Sequence, residues 1–258
     1  MEFIATTTGS IKEVDSNFAA FLEESGVKYV PRNRRSLEVL AAENGARGVI
    51  VWHANGPVLY IGDNKFYFHP SMAKVRLSAY RNTGTLDPMI KAFAIEEDDK
   101  ILDCTLGLGA DAVVASYFAP QGEITGIESS TTIAGIIKWG MKLYQSGMPW
   151  LDNAIKKIEV INSEHYTYLK QQQDNSYDIV YFDPMFRKPL LKSQPLSGLR
   201  VLANHEPLSP ETIKEAIRVA RKRVVIKEMV SSLEFERLKC QQVLGSPNNK
   251  IAFGVILV

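Results

Sequence analysis

Downstream of Asp87-Pro88 the chain alternates between two hydrophobic periods, and few architectures accommodate that pattern. Short runs rich in β-branched residues, KILDC (100–104), GEITGIE (122–128), KIEVIN (157–162), YDIVYFD (177–183) and KRVVIKE (222–228), read as strands. Between them lie segments with helical spacing: Ala110–Phe118, Thr131–Tyr144, a short one near Tyr166–Gln171, and Pro210–Lys222. In the last, Ile213, Ala216, Ile217 and Ala220 recur one helical turn apart behind a Ser209 cap. Alternating β and α predicts an α/β fold, an open and mostly parallel seven-stranded sheet with helices on both faces. Two final strand-like runs, near Gln242–Leu244 and Ile251–Val258, are joined by a linker too short for a crossover. The C-terminal strand is therefore expected to run antiparallel.

The N-terminal third is patterned differently. Phe3–Thr7 is a short β-like run closed by Gly9, and Ser16 is expected to cap a helix through Phe18, Phe21 and Leu22 that Gly26 ends. Ser36 caps a second helix, ended at Gly45. GVIVWHANGPVLYIGDNKFYFHP (48–70) reads as three strands punctuated by Asn55-Gly56-Pro57 and Gly62-Asp63-Asn64. We expect residues 1–85 to form a small α/β module, a candidate for substrate recognition, and residues 86–258 the larger domain. Asp87 as N-cap and Pro88 in the first turn open a helix through Met89, Ile90 and Phe93.

Net charge is only +1, so no global field announces a polyanionic partner. Basic residues cluster locally at Arg32, Arg34 and Arg35, at Arg187, Lys188 and Lys192, and at Arg218, Arg221, Lys222 and Arg223; a solvated face is the bland explanation of each. Cys104 and Cys240 are too far apart for a disulfide framework, which fits a reducing compartment. His53, His69, His165 and His205 lack metal-ligand spacing, so no metal is expected. MEFIATTTGS has no signal-peptide character, and no stretch approaches the ~20 apolar residues of a membrane span. The expectation is a cytoplasmic protein with no membrane partner; the pattern does not set an oligomeric state.

In open α/β sheets ligands bind beyond the carboxyl ends of the strands, so strand-end residues carry the chemistry. The first strand runs into ILDCTLGLGADA, where Gly107 and Gly109 let the backbone turn sharply and the next helix offers free N–H groups. Asp103, Thr105, Gly107, Gly109, Ala110 and Asp111 are thus candidate cofactor contacts. Glu128 ends the second strand about 20 residues beyond Gly109, where an acid accepts from both ribose hydroxyls of an adenosine. The third strand ends in Asn162-Ser163-Glu164-His165, polar groups suited to an adenine edge. Gly107 to Ala112 also satisfies G-x-G-x-x-A, the dinucleotide pattern. A pyrophosphate beside Asp103 would be repelled, however, whereas the sulfonium and ammonium groups of S-adenosylmethionine would be attracted. The pattern favours the methyl donor.

The fourth strand ends in Asp183-Pro184-Met185-Phe186, where a methyl acceptor would approach. The exocyclic amine of a base is a weak nucleophile because its lone pair is delocalised. The Asp183 carboxylate and Pro184 carbonyl could accept its two N–H bonds and aim the nitrogen. Pro184 stiffens the turn, and Phe186 could stack on an extruded base. RKPLLKSQPLSGLRVLANHEPL (187–208) is a long loop without periodicity, and such loops are usually functional. Lys227, ending the fifth strand, would point into the same crevice.

LDCTLGLGADAVVAS, GIES, YFDPMF and RVVIKE, in that order, resemble bacterial class I S-adenosylmethionine-dependent methyltransferases of the ribosomal RNA small-subunit methyltransferase J family. The best-known relative in that family methylates a guanine N2, and the chain resembles a separate branch with its own N-terminal module. The D-P-M-F segment is also similar to the D/N-P-P-Y/F tetrad of amino-group methyltransferases that act on nucleic acid. The resemblance implies a Rossmann-like fold and S-adenosylmethionine as cofactor, bound at Ala110-Asp111, Glu128-Ser129, Glu164-His165 and Asp183. It also implies ribosomal RNA or the small subunit as partner. The strand ends themselves offer Asp183 and Pro184 to orient the amine, Phe186 to stack and Lys227 to neutralise substrate charge as the candidate catalytic residues. The chain departs from the guanine enzyme in the Asn-Ser-Glu-His stretch, at Ala110 in place of an arginine, and across the N-terminal module. Three rivals remain: transfer to a small-molecule or protein amine, a nicotinamide-dependent oxidoreductase, and a non-catalytic RNA binder.

Overall fold

The computed structural model describes residues 2–8, 14–184, 207–245 and 250–258. The N-terminal region builds a five-stranded sheet from β1 (Phe3–Thr7), β2 (Lys28–Tyr29), β3 (Gly48–His53), β4 (Gly56–Ile61) and β5 (Asn64–Phe66), in the order β2-β1-β3-β4-β5. β1 runs parallel to β2 and β3, while β4 and β5 add antiparallel hairpins. Helices α1 (Ser16–Ser25) and α2 (Leu37–Glu43) connect the parallel strands. Asp15, one residue before the predicted Ser16, caps α1 by accepting the Phe18 N–H at 2.8 Å. Ser36 caps α2 as expected.

Helix α3 (Ser71–Thr83) is not among the sequence-predicted elements. The FYFHP run was expected to continue as strand, yet β5 stops at Phe66. The helix then buries Ala73 and Leu77, spaced i and i+4, and ends at Gly84 with φ 72°. Exposed Met72 and Val75 blur that stripe in the sequence. Next, α4 (Pro88–Phe93) starts at the expected Asp87 cap.

The second sheet has seven strands: β6 (Lys100–Asp103), β7 (Glu123–Glu128), β8 (Ile158–Asn162), β9 (Tyr177–Phe182), β10 (Ala220–Met229), β11 (Gln242–Gly245) and β12 (Ile251–Leu257). Their order is β11-β12-β10-β9-β6-β7-β8. All neighbours from β10 to β8 are parallel, and β12 inserts antiparallel between β10 and β11, the arrangement the short linker required. The connecting helices are α5 (Ala110–Phe118), α6 (Thr131–Leu143), α7 (Pro149–Lys156), α8 (His165–Gln171), α9 (Pro210–Val219) and the short α10 (Glu234–Arg237). α7 was also unforeseen, although Pro149 starts it and Leu151, Ala154 and Ile155 form its buried stripe. α9 ends earlier than predicted because Ala220 already belongs to β10.

The two sheets share one core. α6 is apolar around much of its circumference, burying Ile133, Ala134, Ile136, Ile137, Trp139 and Met141, and so can be covered on two sides. Phe18, Phe21 and Trp52 of the N-terminal layer pack in the same core as α6. The Trp52 and Trp139 rings meet edge-on at 5.8 Å, and the Trp139 indole N–H donates to Glu24 at 3.1 Å. Among the described residues no helix is long and apolar enough to cross a membrane.

Candidate active site

Period-2 alternation decides which strand-end side chains meet. Ile101, Ile179, Tyr181 and Val225 face the core shared with α4, α5 and α6, whereas Leu102, Val180, Phe182, Val224 and Ile226 face the α8–α9 layer. Continuing the first set, Asp103, Asp183 and Lys227 emerge together at the carboxyl ends. Parallel register pairs Asp103 with Tyr181 and Ile226 with Phe182, so Asp183 and Lys227 fall side by side one step further on. Strand order reverses between β6 and β9, the position where open α/β sheets bind ligands.

Lys227 Nζ donates to Asp183 Oδ2 at 2.7 Å and to Asp111 Oδ2 at 2.9 Å. Asp111, in the first turn of α5, also accepts from the Tyr181 hydroxyl at 2.8 Å and from Arg76 Nη1. The other Arg76 nitrogens grip Asp87, Nε to Oδ2 at 2.7 Å and Nη2 to Oδ1 at 2.9 Å. Sequence reasoning missed Arg76 because it sits on the unpredicted α3. Asp87 was foreseen only as a helix cap, and it does accept the Met89 N–H at 2.9 Å.

These contacts set the charges. Burial opposes ionisation of Asp111, but Lys227 and Arg76 hold its carboxyl well below the usual carboxylate range. Burial pushes Asp183 up to about 6, with Lys227 pulling it back and Asp111 adding repulsion. Asp103 is pushed by burial, and then by the Asp111 charge, up to about 8. The Lys227 ammonium is held well above its ordinary value: Asp111 and Asp183 outweigh its burial. Near neutral pH Asp103 is thus mostly protonated, and Asp111 is committed to the protein's own cations. This revises the expectation that both stand ready as free charges. Around the crevice, three acidic side chains (Asp87, Asp111, Asp183) pair with two basic ones (Arg76, Lys227) among the described residues. The remaining negative charge, and Asp103 as a reserve, fit a cationic ligand.

The glycine loop closes one wall. Gly109 has φ 73°, a conformation that favours glycine, and a Cβ there would lie 2.3 Å from Met141 Cε, whose flexible end would have to shift. Gly107 has φ 49°. Glu128 at the tip of β7 accepts the Ser130 N–H at 2.8 Å. Burial raises its carboxyl, against hydrogen bonds from the Ser130, Gly107 and Ser129 backbone. Glu128 and the glycine loop are therefore one bonded unit. Thr105 joins β6 to the acceptor side, its Oγ1 accepting the Asp183 N–H at 2.5 Å. Ala110 opens α5 directly after Gly109. Glu164 caps α8, accepting the Tyr166 N–H at 2.9 Å and the Thr167 N–H at 2.7 Å. Its carboxylate is thus engaged, and the His165 ring beside it packs edge-on against Phe182 at 5.8 Å.

Pro184 is the last described residue before 207. Phe186, the basic cluster at Arg187, Lys188 and Lys192, and most of the predicted functional loop lie outside the described residues. The third basic cluster lies on a partly exposed face and is laced with ion pairs: Arg218 pairs with Asp174 and Glu215, Arg221 with Asp178, and Lys222 with Glu96 and Asp99. Glu96, Asp98 and Asp99 bring carboxylate oxygens within 4.8 Å of one another, but Lys222 already pairs with two of them. Cys104 is buried, consistent with a packing role.

A family model described as "Putative SAM-dependent methyltransferase" matches residues 67–250. The chain is 37% identical over 217 residues to the protein of Bacillus subtilis named "Uncharacterized protein YpiP", covering 83% of this chain and 84% of the relative. It is 28% identical to the ribosomal RNA small subunit methyltransferase J of Hydrogenovibrio crunogenus, over 65% of this chain and 61% of that protein. The Coxiella burnetii protein of the same name is 32% identical over 51% of each chain. Alignment thus spans less than two thirds of either methyltransferase J. A solved S-adenosylmethionine-dependent methyltransferase from Neisseria gonorrhoeae superposes with a TM-score of 0.62 at 19% identity, covering 99% of this chain and 95% of that one, which supports the fold. With its strand order, glycine loop and acidic strand tips, the chain belongs to the S-adenosylmethionine-dependent methyltransferase family, and S-adenosylmethionine is its cofactor.

Proposed function

We propose that this methyltransferase acts on the exocyclic amine of a nucleic-acid base, most specifically guanine N2 in ribosomal RNA. The observation that carries this reading is the fixed acceptor at the end of β9. Asp183 is held at its backbone by Thr105 and at its carboxylate by Lys227, and it is followed directly by the Pro184 carbonyl. Two such acceptors match the two N–H bonds of an amine and orient its lone pair without needing a strong base. When bound, the cofactor supplies an electrophilic methyl group. Asp183 stabilises positive charge as it develops on the nitrogen, and Lys227 keeps Asp183 ionised while doing so. Glu128 and the glycine loop hold the adenosine, with the Ala110 and Asp111 backbone, Ser129 and the Glu164-His165 turn around it. Phe186 would stack on the base. The relatives named for ribosomal RNA methylation support this substrate. We assign residues 1–85 to substrate recognition on the same footing.

A second reading, transfer to a small-molecule or protein amine, is favoured by one observation. In the cluster from Arg218 to Lys222, Arg218, Arg221 and Lys222 are each paired with acidic side chains, which offsets their attraction for a polyanion. Nucleoside mass spectrometry of ribosomal RNA from a deletion strain separates the two. Loss of one methylated base supports the first reading, and an unchanged modification map supports the second.

A further inference from the structure

Arg76 belongs to α3, upstream of the seven-stranded sheet, yet its guanidinium reaches the centre of the site. The side chains form a chain of alternating charge: Asp87, Arg76, Asp111, Lys227, Asp183. Its last link is the proposed amine acceptor. Only one cation touches Asp183 among the described residues, and that cation is shared, with Lys227 2.7 Å from Asp183 and 2.9 Å from Asp111. Two carboxylates competing for one ammonium divide it according to their own compensation. An Asp111 without another cation would draw Lys227 toward itself and leave Asp183 buried and unpaired.

We propose that Arg76 is a positioning residue of the catalytic centre: by neutralising Asp111 it leaves Lys227 free to hold Asp183 in place as the ionised acceptor. This rests on the reading of Asp183 as the amine acceptor. Arginine is specified by geometry, since Nε and Nη2 grip both Asp87 oxygens while Nη1 serves Asp111. A lysine offers one nitrogen and cannot span both carboxylates in that way. Asp87 completes the device, because its carboxylate is anchored by the Met89 N–H at the start of α4. The N-terminal part of the chain thereby supplies a component of the catalytic centre as well as a covering layer.

Among the described residues the titratable groups facing Asp183 are Lys227 of β10, Asp111 of α5, Tyr181 of its own strand and Asp103 of β6. Of these, the Asp111 charge raises Asp183, and the Lys227 cation is the counterweight that Arg76 releases.

The test uses the full chain as wild type, Arg76→Lys, Arg76→Gln and Asp87→Asn. The Asp183 side-chain carboxyl is followed by carbon-detected NMR titration without substrate, its signal assigned by loss in Asp183→Asn. In Arg76→Gln the Asp183 midpoint should move upward from about 6 toward neutral, with Arg76→Lys and Asp87→Asn in between. Methyl transfer to RNA should lose about 10- to 100-fold in kcat, its acid limb moving with the NMR midpoint, while S-adenosylhomocysteine affinity changes less than about 3-fold. An Asp183 midpoint unchanged in variants that still bind S-adenosylhomocysteine overturns the proposal. Should Arg76→Gln fail to fold, the milder pair still decides it. Absence of methyl transfer to RNA by the wild type would defeat the base-amine reading alone, since the substrate-free titration judges Arg76 independently.

Discussion

Asp183 and Lys227 stand side by side on neighbouring parallel strands, joined by a 2.7 Å ion pair at the point where strand order reverses. Their juxtaposition follows from register alone, and it places the proposed acceptor and its counter-ion at the ligand-binding edge of the sheet. Asp183→Ala removes the acceptor and leaves Lys227 with Asp111. Methyl incorporation should fall by about 100- to 1,000-fold, the scale of losing one preorganised electrostatic contact. Calorimetry should show that S-adenosylhomocysteine still binds.

Activity should depend on pH through the same residue. The competent form is the Asp183 anion, whose carboxyl burial pushes up to about 6. The kcat profile should therefore lose activity as pH falls through that value, and Asp183→Asn should flatten this limb. A limb that survives unchanged in Asp183→Asn would assign it to another group.

Asp103 carries an opposing stability cost. Its ordinary value is 3.8 and its folded value about 8. Between those values the folded chain holds a proton that the unfolded chain has lost, so stability falls as pH rises through the window and levels off above it. Asp103→Asn should raise the melting temperature more at about pH 9 than at about pH 4. Affinity for cationic S-adenosylmethionine should weaken more than affinity for neutral-sulfur S-adenosylhomocysteine. Equal thermal gains at both pH values would show that Asp103 is not the buried acid described.

Gly109→Ala tests the loop. The substitution imposes a side chain at φ 73° and drives a Cβ to 2.3 Å from Met141 Cε. The methionine end can move, but the backbone strain remains, and about 1 kcal/mol or more of stability should be lost. Cofactor affinity should drop further, as measured by calorimetry on the folded fraction.

The shared core makes the N-terminal layer hard to remove. Deleting residues 1–85 would expose the α6 face that Phe18, Phe21 and Trp52 cover and would remove Arg76. The truncated chain should aggregate or melt well below the intact protein in a thermal scan, rather than persist as a stable catalytic fragment.

Much of this was legible in the sequence because strand alternation and strand-end chemistry are local. KILDC, YDIVYFD and KRVVIKE announced both their strands and the side chains at their tips, and Asp103, Glu128, Asp183 and Lys227 emerge on one edge as their positions implied. What could not be read was long-range. α3 hid because exposed Met72 and Val75 obscure its Ala73-Leu77 stripe, and with it went Arg76. No spacing rule links Arg76 to Asp111, since only the packing of α3 beside α5 brings them together. The charge states were equally hidden. Asp103 read as a free acid, yet burial leaves it mostly protonated near neutral pH. The cluster from Arg218 to Arg223 read as a surface patch, and it is partly exposed, but the acidic partners that other elements bring to Arg218, Arg221 and Lys222 could not be read.

The central claim is that Asp183 presents a base amine for methylation. The most direct measurement incubates the full chain with methyl-labelled S-adenosylmethionine and ribosomal RNA from a deletion strain, followed by nucleoside mass spectrometry, for wild type and Asp183→Ala in parallel. Wild type should place label on the exocyclic amine of one base, and the variant should lose it almost completely. Label found only on protein or small molecules, or RNA label undiminished in Asp183→Ala, would contradict it.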